Sequence, residues 1–76
     1  MIFNIYAIKD EVADEFRAPV PFLEKRSDEV AERWFKQAIK ENEQPSDFSL
    51  WRIGAYNSDT AYLEREETPH LIARGE

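Results

Sequence analysis

The sequence has no cysteine, one histidine, one methionine and two glycines among its 76 residues. Without cysteine there is no disulfide, no thiolate metal ligand and no thiol nucleophile, and a reducing intracellular setting is allowed. Two glycines leave no glycine-rich loop of the kind that cradles nucleotide phosphates, which sets nucleotide hydrolysis aside. No apolar run approaches the roughly 18 residues that would suggest a membrane span. The opening residues Met1-Ile2-Phe3-Asn4-Ile5-Tyr6 lack the basic start of a signal peptide, so the expectation is a soluble protein left where it was made. Positive charge is also scarce: 10 Lys and Arg stand against 16 Asp and Glu, a formal net charge of −6. Non-specific nucleic-acid affinity comes mostly from Lys and Arg displacing counterions, so any such role needs a local basic patch on an acidic body.

What the chain does have is aromatics: five Phe, three Tyr and two Trp. A chain this short buries only about 60% of the surface its unfolded form exposes, and large rings compensate for a thin core. Self-association is a second remedy. Residues 2–8 read as a strand apolar on both faces, with Phe3, Ile5 and Ala7 on one side and Ile2, Tyr6 and Ile8 on the other. Residues 10–26 hold an acidic cluster, Phe16 and then Pro19-Val20-Pro21, and read as a long ordered loop. Ser27 is placed to cap a helix carrying Asp28 and Glu29 in its first turn, with Val30, Ala31, Trp34, Phe35, Ala38 and Ile39 at helical spacing. Glu29 precedes Arg33, and Glu32 precedes Lys36, by four residues, and the helix should fade over 41–44 before Pro45.

A second strand over 48–56 places Phe48, Leu50, Arg52 and Tyr56 on one face and Ser49, Trp51, Ile53 and Ala55 on the other. Asn57-Ser58-Asp59-Thr60 supplies turn residues and 61–65 returns as a third strand, until Thr68-Pro69 breaks the pattern and 70–73 form a short tail segment. The order strand, helix, strand, strand predicts one α+β domain over 1–76, a three-stranded sheet with one helix packed on one face. Adjacent and parallel first strands would need a right-handed crossover. One helix cannot cover both faces, so the second meets the loop, the tail or another copy of the chain. Either Phe48 and Leu50, or Trp51 and Ile53, pack under the helix.

No cofactor is implied, and no metal site. Asp10 and Asp14 would share one face of a helical turn, but the spaced ligands and glycine of a calcium loop are missing, and the run reads as a solvated acidic loop. His70 follows a proline in the tail with no nucleophile motif to serve, so the expectation is a protein that is not an enzyme. Lys25 and Arg26 precede the helix, and Arg33, Lys36 and Lys40 follow on neighbouring turns, a basic strip diluted by Glu29, Glu32 and Glu41. In the hairpin Trp51, Arg52, Tyr56 and Tyr62 interleave aromatic and basic groups, which serves either base stacking or a core wall.

With these pieces in order the chain resembles, nearly end to end, the small non-structural protein of gokushovirus-type microviruses, the single-stranded DNA phages that include the chlamydial phages. The resemblance rests on Ile5-Tyr6-Ala7-Ile8-Lys9-Asp10, on Phe16 with Pro19, on Ala31, Arg33 and Phe35, on Asp47-Phe48-Ser49-Leu50-Trp51-Arg52-Ile53-Gly54-Ala55-Tyr56, on the turn 57–60, and on Pro69 and Leu71. Ala61 departs from it, standing where relatives usually carry glycine, and so does Trp51, where tyrosine is more usual. The resemblance implies a role in the host bacterial cytoplasm, at the switch from duplex DNA synthesis to single-strand synthesis and packaging, and brings no established site residues. The expected function is a non-enzymatic regulator of viral DNA synthesis or packaging, a homo-oligomer contacting single-stranded DNA, with no membrane partner. Lys25, Arg26 and Arg33 would hold phosphates together with Arg52, and Trp51 would stack on bases. The other reading is an acidic interaction module for a viral or host replication protein, without direct DNA binding, which the net charge favours.

Overall fold

The computed structural model describes residues 1–21, 28–41 and 44–75. Strand β1 (Ile2–Asp10) is followed by two short strands, β2 (Glu15–Phe16) and β3 (Val20–Pro21), then helix α1 (Asp28–Ile39), a 3-10 turn over Pro45–Asp47, and the long strands β4 (Phe48–Asn57) and β5 (Tyr62–Arg74). The sheet is antiparallel and four strands wide in the order β2-β1-β4-β5, with β3 sharing the outer edge of β1 with β2. Three strands were expected. The difference lies in the stretch taken for a loop, where the acidic run makes a tight reversal. The Asp10 carboxylate accepts the backbone N–H groups of Val12 and Ala13 at 3.0 and 3.1 Å, and Asp14 takes a φ of 57°, a conformation short polar side chains tolerate. The same bonds show Asp10 shaping the turn, while Asp14 pairs with Lys9.

That reversal also decides how β1 and β4 pair. Residues 15–21 already carry the chain back along β1, so α1 returns it to the end where β1 finished, and β4 descends with Phe48 opposite Asp10. The two strands are adjacent but antiparallel, and no parallel crossover is formed. A backbone bond from Glu11 N–H to the Asp47 carbonyl, 2.7 Å, ties the two turns at that end.

Helix α1 forms largely as its spacing predicts. Asp28 and Glu29 occupy the first turn, where acids favour the dipole, and Ala31, Phe35 and Ile39 are buried at four-residue intervals. Ala38 faces solvent, and Ser27 lies outside the described residues. Of the i,i+4 spacings, Glu32 and Lys36 close an ion pair at 3.1 Å. The core under the helix gathers Tyr6, Ile8, Ala31, Phe35, Ile39, Phe48, Leu50 and Ala73, with Trp34 and Ile72 at its margin. Phe48 and Leu50 therefore pack under the helix, and Trp51 does not.

Besides an extra residue in β5, Ile72 between the partners of Trp51 and Leu50, two irregularities shape the hairpin. Ile5 pairs with Gly54 but Tyr6 pairs with Arg52, so Ile53 is an extra residue in β4, a bulge. Its effect is to swap the faces beyond it, because side chains alternate with a period of two. Tyr56, expected beside Leu50, instead shares the face of Trp51, and Ala55 moves to the helix side. The second irregularity carries β5 past Thr68-Pro69, where a break was expected: Gly54 pairs with Arg65 and Arg52 with His70, leaving 66–69 bulged out. Proline, lacking an N–H, is accommodated at such a bulge.

At the hairpin turn Ala61 donates its N–H to the Asn57 carbonyl at 2.7 Å and adopts a φ of 61°. A Cβ disfavours this left-handed conformation, and glycine enters it freely. Ala61→Gly is expected to raise stability by about 1 kcal/mol, read as a higher urea midpoint at unchanged slope; an unchanged or lower midpoint would contradict it.

Candidate functional site

The helix-side half of the sheet is held by a polar cluster. Arg52 on β4 donates from its Nη1 to Asp28 Oδ2 at 2.7 Å and from Nε to Glu66 Oε1 at 2.5 Å. The second oxygen of Asp28 accepts the Tyr6 hydroxyl at 2.7 Å, and Asn4 Nδ2 donates to that hydroxyl at 3.2 Å. One arginine thus joins the first turn of α1 to the bulge of β5. The bond to Glu66, with the bond and charge of Asp28, holds the Arg52 guanidinium even more firmly protonated than usual. Burial, with the bond to Asp28, pushes the Tyr6 phenol up from 10.0 to about 12. A phenol that ionises only at higher pH in the folded state contributes stability that is complete below pH 10 and lost as pH climbs from 10 toward 12. Alkaline denaturation followed by circular dichroism is expected to show this loss, and Tyr6→Phe to remove it. A Tyr6→Phe protein with the same alkaline slope would count against this assignment.

The opposite face carries no helix. Cross-strand partners share a face, which places Phe3, Ile5, Ala7 and Lys9 of β1 here with Tyr56, Gly54, Trp51 and Ser49 of β4, and Leu63, Arg65, Leu71 and Arg74 of β5. At one end the Phe16 and Trp51 rings meet edge to face, 6.0 Å between centroids at 77°. Lys9 Nζ lies 5.5 and 5.8 Å from those two rings, a cation–π arrangement. The same ammonium is 3.0 Å from Asp14 and 3.4 Å from Glu11. Beneath it the Trp51 indole N–H donates to Ser49 Oγ, and Ser49, fully buried, donates to Glu11 Oε2, both at 2.7 Å. Ser49's hydrogen bond, helped by Lys9, holds the Glu11 carboxyl below its ordinary range, and the bond to Asp14 raises the Lys9 ammonium. At the other end lies an open cleft of about 620 Å³, mostly apolar, between Ile5, Pro19, Ile53, Tyr56 and Leu63 with Arg65 at its margin.

The three described sequence candidates do not converge. Lys25 and Arg26 lie outside the described residues, and Arg33 is exposed on α1. Trp51 and Arg52 stand on opposite faces of the sheet, so no single strand of nucleic acid lying on one face meets both. His70 is exposed on β5 opposite Arg52. Sequence reasoning passed over Lys9, Glu11, Phe16 and Ser49. Phe16 carried a signal, an aromatic set among acids beside a predicted strand. The Trp51-Ser49-Glu11 chain carried none, since its last member is 38 residues from Ser49. Among the described residues no group of three or more acidic or imidazole side chains is placed to hold a metal ion. No helix there is long and apolar enough to cross a membrane.

A small mixed α/β domain with one helix-free, aromatic-bearing sheet face is the class of protein this architecture defines. A family profile described as phage ORF5 protein matches residues 3–76, and the chain belongs to that family. It is a phage protein. No curated protein matches it, and no solved structure does.

Proposed function

We propose that this phage protein is a non-enzymatic, non-structural regulator that controls viral DNA synthesis or single-stranded genome packaging in the host bacterial cytoplasm, working as an oligomer that contacts single-stranded DNA. The observation that carries the reading, through its oligomeric part, is the helix-free sheet face: Phe16 and Leu63 remain 44% and 71% exposed on it, apolar surface of the kind another macromolecule covers. The resemblance to gokushovirus-type proteins supports the setting. Phosphate contact falls to Arg33 and to Lys25 and Arg26 just before the same helix, because the charge of Arg52 is already paired with two carboxylates, Asp28 at Nη1 and Glu66 at Nε.

Anisotropy titration of a labelled single-stranded oligonucleotide across salt concentrations tests this. Affinity is expected to fall steeply as salt rises, and Arg33→Glu to weaken binding and lower the salt slope by about one. Absence of binding by micromolar protein at low salt would sink the DNA contact. The second reading then stands, an acidic module for a viral or host replication protein, favoured by the net charge of −6.

A further inference from the structure

We infer that the helix-free face of the sheet is where two copies of this chain meet, each setting Phe16 into the apolar cleft of the other. The inference deepens the oligomeric part of the proposed function by naming the surface and its occupant.

A two-fold interface requires a surface complementary to itself, so that residue i meets j and j meets i. This face has both halves of such a pair. Phe16 projects at one end, opposite Lys9, and the cleft opens at the other, over Ile5. Four residues of strand separate Lys9 from Ile5, about 13 Å along β1. Midway stands Ala7, paired with Trp51 and already covered within the chain, so contact at the axis falls to Trp51. A single phenyl ring is far smaller than the 620 Å³ cleft, so it enters without a clash.

Charge agrees with a second copy as the occupant. A chain with a net charge of −6 repels its copy, yet this face is not acidic: Lys9, Arg65 and Arg74 stand on it against Glu11 and Asp14. A second copy meets a near-neutral patch on each side, which leaves only the repulsion between the two bodies to oppose it.

Sedimentation equilibrium over the micromolar range, at low and high salt, tests the inference. The expected result is a dimer that holds or tightens as salt screens the repulsion between bodies, opposite in sign to DNA binding. Phe16→Glu and Leu63→Glu, both at exposed positions, are expected to raise the dimer dissociation constant roughly thirtyfold or more while leaving the circular dichroism spectrum of the monomer unchanged. Arg33→Glu, on the helix, should leave the dimer intact, so loss of DNA binding and loss of the dimer are read separately. The absence of native cysteine gives a direct check: mixing F16C protein with L63C protein should form mixed disulfides faster than either alone. A monomer throughout the range, or a dimer indifferent to both glutamate variants, would overturn the inference. So would a monomer whose oligonucleotide affinity changes with Phe16→Glu, which would give the face to DNA instead.

Discussion

Gly54→Ala is expected to destabilise the protein by about 3 kcal/mol or more, although it adds one methyl group to a strand. The cause is space and not backbone conformation, since Gly54 has no positive φ. A Cβ there would collide with the Glu64 carbonyl oxygen and stand 3.3 Å from its carbon. The obstacle is backbone, with no side chain able to swing aside, so relief requires β5 to move off β4 along the row Ile5, Gly54, Arg65. Urea unfolding at fixed protein concentration measures the loss, and amide exchange should locate the loosening at 62–65. A cost below about 1 kcal/mol would mean that the strands yield more easily than this close approach implies.

Phe35→Ala is the second large effect. Phe35 is fully buried at the centre of the helix face, packed among Tyr6, Leu50 and Ala73 across the sheet. Removing a buried phenyl costs about 3–5 kcal/mol, because the cavity left behind collapses only partly. A chain of this length has roughly 4–11 kcal/mol of stability in total. The variant is therefore expected to lose most of it and show a broad urea transition starting near zero denaturant. Ile39→Val, in the same core, should cost only about 0.5–1.5 kcal/mol and keep a sharp transition. Equal effects from the two would show that Phe35 is not the centre of the packing.

These two positions differ in how visible they are in the sequence. Phe35 was legible: its spacing from Ala31 and Ile39 marks a buried stripe, and the helix follows it. The first strand was legible too, because Phe3, Ile5 and Ala7 alternate cleanly with Tyr6 and Ile8. Gly54 gave a signal of another kind, since a glycine inside a strand often marks a bulge or a close backbone approach, and here it marks both. Reading 48–56 with unbroken alternation put Tyr56 on the wrong side. Strands of two residues leave almost no periodic trace, so β2 and β3 vanished into an acidic stretch. Arg52 was misread for a different reason. In the sequence it is a lone cation beside a tryptophan, and nothing local announces carboxylates 24 residues before it and 14 after it. The family placement over residues 3–76 confirms a phage protein and leaves the gokushovirus likeness and the DNA role to experiment.

The extra residue Ile53 acts on side-chain direction as a one-letter insertion acts on a reading frame. Everything beyond it in β4 is read out on the other face. Deleting Ile53 would close the bulge and leave Gly54, Ala55 and Tyr56 on the faces they already hold, whereas pairing Ile53 in regular alternation would turn Tyr56 toward the helix side, where the short helix, about 18 Å long, does not reach the hairpin tip. The same composition would then present a different surface. The surface of the hairpin tip is therefore set by whether Ile53 is bulged or paired.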